Sequence, residues 1–418
     1  MKLLFKNAVI IDKDSRYNNK AVDIKVENGI ISKIGADIVA GKEYEIIERE
    51  NLHISRGWFD SSVSFGEPGY EERETLANGL TVAAYSGFTD IALQPTGYPV
   101  TDSQADIHFI AAKTKHAATN IHPIGALTKE SKGNDIAELF DMKNAGAVAF
   151  GDYNKAMDDA NLLKIALQYV QDFNGLVIAY AQDEKIKGKG VVHEGVVSTR
   201  LGLKGIPALA EELQVARNLF LLEYTGGKMH LPTLSTAKAV QLVREAKAKG
   251  LQVTCSVAVH HLLLTDEVLT EFDTRYKVAP PLRTDNERKA LLEGVTDGTI
   301  DLITSDHNPI DIEHKKLEFA LAKDGTIGLE SAFGALLTVL PLETVIKKLT
   351  TGKTLFGIDD VPVAEGNAAS FTLFNPEERY TFTEKDIFSK SKNTAFLGME
   401  LKGKAYGIYN NDKLVLNK

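Results

Sequence analysis

Apolar residues along this chain follow two rhythms. At both ends they form short strand-like runs, while in between short apolar runs alternate with helical patterns. Near the N-terminus Lys2 to Ile11 is one apolar-rich run. Ala21 to Val26 alternates, Asn28-Gly29 supplies a turn, and Ile30 to Ile34 alternates again. Near the C-terminus Ser370 to Phe374 and Ala405 to Tyr409 read as short strands. Neither end has enough strands to bury a stable core alone. The expectation is therefore a composite β-sandwich, with residues 1–52 and 363–418 packed together beside a main domain of residues 53–362.

In that main domain eight short apolar segments stand out: Ile54 to Asp60, Phe88 to Gln94, Ile121 to Leu127, Ala147 to Asp152, Leu176 to Gln182, Met229 to Ser235, Val253 to Ala258 and Leu302 to His307. Helical patterns separate most of them. The clearest runs from Thr236 to Lys249, with Ala239, Leu242, Val243 and Ala246 on one face, Ser235 or Thr236 as N-cap and Gly250 as the stop. Eight such units predict an α/β fold, a (β/α)₈ TIM-type barrel. A doubly wound open sheet is the alternative that periodicity alone leaves standing. In a barrel the chemistry gathers at the C-terminal ends of the strands.

Composition narrows the function classes. The 418 residues suit a barrel with a smaller companion. The net charge of −9 gives no reason to expect nucleic acid or an anionic membrane as partner. No apolar run approaches the roughly 20 residues needed to span a bilayer, and Met1 to Asn7 lacks a signal peptide's long apolar stretch. The one cysteine, Cys255, excludes an intrachain disulfide and a cysteine zinc cluster. The expected location is the cytoplasm.

Specific motifs then appear in order along the whole chain. They are Gly57-Trp58-Phe59-Asp60-Ser61-Ser62-Val63-Ser64-Phe65-Gly66-Glu67-Pro68-Gly69; Gly146 to Asp152; Leu201 to Glu211; His260 to Glu267; Tyr276 to Arg283; Gly298 to Pro309; and Ser389 to Asn393 with Phe396-Leu397-Gly398. Together these resemble the dihydroorotases of the amidohydrolase superfamily, the type closest to the multifunctional pyrimidine-pathway proteins. The resemblance implies a metal-dependent hydrolase barrel with one or two zinc ions at its mouth. It also implies reversible cyclisation of carbamoyl aspartate to dihydroorotate.

The resemblance assigns metal ligands to the ends of strands one, four, five, six and eight. In this chain those positions hold Ser62 and Ser64, Tyr153, Tyr180, Thr233 and Asp306. Hydroxyl and phenol groups are poor zinc ligands at neutral pH, so of the set only Asp306, the family's proton-transfer position, keeps its chemistry. The substrate positions differ too: the carboxylate-binding arginine is Gly66, an asparagine is Thr96, and the asparagine before Pro280-Pro281-Leu282-Arg283 is Ala279. Metal coordination lowers a bound water's pKa from about 15.7 to about 7, whereas a lone general base contributes about 10²–10⁴-fold. The expectation is a chain with no cofactor: a pseudoenzyme kept as a structural or regulatory subunit.

The resemblance implies assembly with aspartate transcarbamoylase or an active dihydroorotase, and a homo-oligomer is expected. The alternatives are an active dihydroorotase with an unusual site, or a ligand sensor. A rewired metal site from His230, His260, His261, Asp152 and Asp306 is weighed against ordinary structural roles for the same residues. Tyr153 and Tyr180 are read as space-filling groups, Asp306 and His307 as a hydrogen-bonded plug, and both the acidic stretch Glu67 to Glu74 and the cluster Lys185, Lys187 and Lys189 as solvated loops.

Overall fold

A computed structural model describes residues 1–39 and 41–417. Its central sheet has eight parallel strands in sequential order. They are Trp58–Val63, Phe88–Leu93, Asn120–Gly125, Ala149–Phe150, Val177–Ile178, Met229–Leu231, Val253–Ala258 and Leu302–Thr304, here barrel strands one to eight. Each of the eight apolar segments contributes one. Strands one and eight also meet: Val63 bridges His307 in parallel, and the Ser64 amide donates to the His307 carbonyl at 2.7 Å. That contact closes the sheet, so the open doubly wound alternative falls.

The first segment is divided, however. His53–Arg56 pairs antiparallel with Phe371–Phe374 of another sheet, and barrel strand one begins only at Trp58. Arg56-Gly57 marks the place where the chain passes from one sheet to the next, and the expected strand runs through it. The most legible helix, Ala237–Ala248, starts at Thr236, whose side chain accepts the Ala239 amide, and stops before Gly250 in a left-handed conformation. It buries Ala239, Val240, Val243 and Ala246, and Leu242 sits at the margin. The buried face is thus rotated towards Val240.

The two chain ends meet in one eight-stranded, mostly antiparallel sheet. Asn28 and Gly29 both adopt positive φ (49° and 78°) between Ala21–Glu27 and Ile30–Gly35, as a tight hairpin turn requires. Phe5, Phe371 and Tyr409 join the first strand to the C-terminal strands Phe371–Thr381 and Glu400–Asn410 in one aromatic core. Trp58 anchors this sheet to the barrel. Its ring lies 4.6 Å from Phe333 and 5.5 Å from Phe374, centroid to centroid, and its indole N–H donates to Ser55 Oγ. Among the described residues no helix is long and apolar enough to cross a membrane.

Candidate functional site

Strand ends deliver most of the predicted positions to one place. A small cavity at the barrel mouth is lined by Ser62, Gln94, Tyr153, Asn154, Tyr180, Pro232, Thr233, Ala279 and Asp306. Six of the nine sequence-predicted positions are therefore neighbours. Ser64, Gly66 and Thr96 are not part of this lining. Sequence reasoning missed Gln94, which follows strand two directly; the rule that chemistry gathers at strand C-termini was signal enough to find it.

Asp306 is the hub. Ser62 Oγ donates to its Oδ1 at 2.9 Å, and the Tyr153 hydroxyl reaches the same oxygen at 3.4 Å. Gln94 in turn donates to Ser62 Oγ at 3.3 Å. Burial pushes the Asp306 carboxyl up to about 7, against the pull of the Ser62 hydrogen bond and with help from the nearby Asp60 carboxylate. Near neutral pH it is divided between acid and carboxylate. Burial also drives the Tyr153 and Tyr180 hydroxyls well above their ordinary range, so both stay neutral phenols. The Tyr180 hydroxyl is buried with no partner among the described residues.

Beneath the hub lies a second carboxyl network. Asp60, fully buried, accepts from the Ser62 amide at 3.0 Å, the Ser305 amide at 2.8 Å and the Thr304 hydroxyl. It fixes the ends of strands one and eight against each other. His307 is fully buried and held neutral, its pKa pushed down to about 3 by burial, and its Nδ1 accepts from the Gly328 amide at 3.2 Å. It therefore serves loop structure and makes no hydrogen bond to Asp306, so of the predicted plug Asp306 remains and His307 does not join it.

Three lining residues hold left-handed backbones: Tyr153 (φ 56°), Thr233 (φ 47°) and Asp306 (φ 48°). Such conformations cost roughly 1–3 kcal/mol each in non-glycine residues, most clearly for a β-branched threonine. The surrounding barrel over-determines the backbone at this mouth. At Gly66 the constraint is spatial. The Tyr70 amide donates to the Gly66 carbonyl at 2.8 Å and the Gly66 amide to the Glu74 carbonyl at 3.0 Å. A Cβ here would lie 1.8 Å from the Tyr70 carbonyl oxygen. The loop has closed over the space an arginine stem would need.

The other candidates scatter. Asp152 turns away from the mouth to accept from Thr128 Oγ1 at 2.6 Å and the Leu127 amide at 2.9 Å. His230 spends Nδ1 on Thr254 Oγ1 and Nε2 on Ser256 Oγ, and His261 faces the Pro280 carbonyl at 3.1 Å. No group of three or more His, Cys, Asp or Glu that could hold a metal ion occurs among the described residues. The acidic stretch is not a solvated loop throughout. Glu74 is fully buried, accepting from Asn78 and the Lys390 amide, and Glu67 accepts from the Leu76 amide at the start of a helix. Loop-tying hydrogen bonds outweigh charge there. Lys185 and Lys189 are exposed as expected.

Comparison with known proteins adds the family. A family model described as Dihydro-orotase-like matches residues 53–239. A dihydroorotase of Pelotomaculum thermopropionicum is 42% identical over 411 residues, covering 96% of each chain. One of Acetivibrio thermocellus is 37% identical, covering 100% of this chain and 99% of its own. Among solved structures an L-hydantoinase of Arthrobacter aurescens superposes with a TM-score of 0.83 at 20% identity, covering 100% of this chain and 97% of that one. A D-hydantoinase of a Thermus species gives 0.81 at 21% identity, with the same coverage. These last two carry the fold alone.

The relatives correct one expectation, that of a chain with no cofactor. The dihydroorotase relatives are metal-dependent amidohydrolases, so kinship does not support a chain expected to need no metal. Side-chain type at a handful of positions was too narrow a criterion, because harder cations bind carboxylate, carbonyl and water oxygens that such a reading does not count. The lining itself, one carboxylate among hydroxyls and phenols, does not fit the zinc that the resemblance implies. With identity of 42% across 96% of its length, this chain belongs to the dihydroorotase family.

Proposed function

We propose that this chain serves pyrimidine biosynthesis as a structural or regulatory member of the dihydroorotase family and does not itself turn over dihydroorotate. One observation carries the reading. The cavity where the strand ends converge offers about 10 Å³ to the centre of a water-sized sphere, which is about the room one water needs. Small-molecule sites run to about 300–1,000 Å³. A six-membered ring bearing a carboxylate does not enter unless Tyr153, Tyr180 and the strained loops behind them are displaced. The missing arginine supports the same reading, since Gly66 leaves no space for a side chain that could clasp a carboxylate. The proposed partner is aspartate transcarbamoylase or an active dihydroorotase. Sedimentation of this chain mixed with each at micromolar concentration tests the proposal: a co-sedimenting complex supports it, and independent boundaries for both mixtures count against it.

A second reading, an active dihydroorotase with an unusual site, is favoured by the names of relatives 35–42% identical over nearly the full length. A dihydroorotate hydrolysis assay on protein of known metal content separates the two. Saturable turnover proportional to bound metal selects the enzyme.

A further inference from the structure

The helix Leu76–Tyr85 ends at Ser86 against a cavity that shares no residue with the barrel mouth. The barrel side contributes Ser86 and Glu330 to its wall. The C-terminal strands Phe371–Thr381 and Glu400–Asn410 contribute Tyr380 and Ala405, so the cavity lies across the junction of barrel and terminal sheet. It offers about 80 Å³ to the centre of a water-sized sphere, where one water takes about 10–15 Å³. Two polar atoms of its wall, Ser86 Oγ and Glu330 Oε2, are buried without a hydrogen-bond partner among the described residues. Ser86 is only 6% exposed. Buried polar groups are paired in folded proteins, and an orphan on a cavity wall calls for a water or an ion.

Charge decides which of the two it is. Glu330 stands in the first turn of the helix Leu329–Leu336, where the macrodipole favours a carboxylate. Its Oε1 is spent on the Ser389 amide at 2.9 Å and the Ser389 hydroxyl at 2.5 Å. Burial opposes the charge and raises the Glu330 pKa, with the Glu74 carboxylate adding to it. The other carboxylate on the wall is already taken: Asp386 pairs with Lys404 at 3.5 Å and accepts from the Thr383 amide and hydroxyl, both at 2.9 Å. One uncompensated negative charge therefore faces the cavity. The C-terminal end of the helix Leu76–Tyr85 adds partial negative charge, and no basic residue occupies its last turn.

A water would answer the hydrogen bonds and leave the buried charge unbalanced. A divalent ion would bring surplus positive charge beside Lys404 and Lys385, which also line the cavity. A single positive charge balances Glu330, and the remaining donors suit it. Besides the Ser86 hydroxyl they are oxygens of Tyr380 and Asn417. Asn417 gives its Nδ2 to the Tyr85 and Ala405 carbonyls and keeps its amide oxygen unspent. Lys385 itself is exposed. An ion held here would also steady the closing segment, because the same Glu330 carboxylate grips Ser389, and Ser391 and Asn393 beyond it bond the Arg73 and Asn308 carbonyls.

We infer that this cavity is a binding site for a monovalent cation, potassium or ammonium, held by Glu330 and Ser86 where the barrel meets the terminal sheet. Thermal unfolding of the full chain tests it, with potassium or ammonium chloride replacing tetramethylammonium chloride at constant ionic strength. A ligand that binds only the folded chain raises the melting temperature, and a rise of about 1–3 °C is expected between about 1 and 200 mM. The cation giving the larger rise names the resident ion. Glu330→Gln still accepts from Ser389 but carries no charge. It is expected to lose the rise, and to be at least as stable as wild type in tetramethylammonium. Ser86→Ala is expected to weaken the rise, and Asp306→Asn to keep it, which separates this site from any cation at the barrel mouth. In crystals soaked with rubidium, an anomalous peak beside Glu330 Oε2 and Ser86 Oγ gives the position directly. A wild type without the rise overturns the inference, as does one that responds only as Lys385→Ala, which would make Lys385 the counter-ion. An equal rise in Glu330→Gln, a stronger response to calcium than to potassium, or a cavity holding water alone in the rubidium crystals overturns it too.

Discussion

Replacing Gly66 with alanine asks whether the family's substrate arginine is merely absent or structurally forbidden. The alanine Cβ would sit 1.8 Å from the Tyr70 carbonyl oxygen and 2.7 Å from its carbon, where about 3 Å is the closest approach real Cβ atoms show. The Tyr70 peptide must retreat by more than 1 Å. That motion strains the Tyr70 amide bond to the Gly66 carbonyl and the Gly66 amide bond to the Glu74 carbonyl. Overpacking costs about 1–3 kcal/mol, and two weakened backbone hydrogen bonds add about 0.5–1.5 kcal/mol each. The expected loss is about 2–6 kcal/mol, read by urea unfolding at constant m value. Gly66→Arg is expected to lose at least as much, since the clash begins at Cβ, and to gain no affinity for dihydroorotate. A Gly66→Ala protein within about 0.5 kcal/mol of wild type, the range of an ordinary surface substitution, would refute this account of the loop.

Three further outcomes follow from the barrel mouth. Tyr180→Phe removes a buried hydroxyl that has no partner, so stability is expected to be unchanged or to rise by up to about 1 kcal/mol in thermal unfolding; a loss beyond that range means the hydroxyl is bonded. Tyr153→Phe removes a donor from Asp306 and is expected to raise the Asp306 pKa further, detectable by carboxyl-resolved NMR titration. Asp306 itself binds its proton more tightly folded, at about 7, than its ordinary 3.8. The folded chain thus holds more protons between those values, and the Asp306 contribution to stability is present below about 4 and lost as pH rises through about 7. Asp306→Asn is therefore expected to gain on wild type across that window in parallel urea titrations, and a constant difference from pH 4 to 8 would contradict the raised pKa.

The sequence made the barrel legible because each strand is short, apolar and separated by an amphipathic helix with caps at readable positions, as at Thr236 and Gly250. It misplaced the start of strand one because both sides of Gly57 have strand-like residues, Ile54-Ser55-Arg56 and Trp58-Phe59-Asp60, although the two halves belong to different sheets. Most of the site was readable through the family resemblance: Ser62, Tyr153, Tyr180, Thr233, Ala279 and Asp306 do converge. What was not readable was direction. Asp152 is one residue from Tyr153, but its carboxylate faces Thr128 and not the mouth, and only three-dimensional geometry reveals that. Glu74 looked like part of a charged surface run, yet it is buried, accepting from the distant Lys390 amide as well as from the adjacent Thr75 amide and the Asn78 side chain. The size of the cavity likewise depends on how Tyr153 and Tyr180 lie across it. The cofactor expectation failed for a related reason: it counted side chains where the chemistry of a cation depends on all the oxygens around it.

We propose that the barrel mouth of this dihydroorotase-family chain has no working space for dihydroorotate. The direct measurement is hydrolysis of dihydroorotate at micromolar protein, with zinc supplied and bound metal quantified in the same sample. No protein-dependent rate is predicted, with or without bound metal, and no difference between wild type and Asp306→Asn. A saturable, protein-dependent rate that disappears in Asp306→Asn would contradict the account.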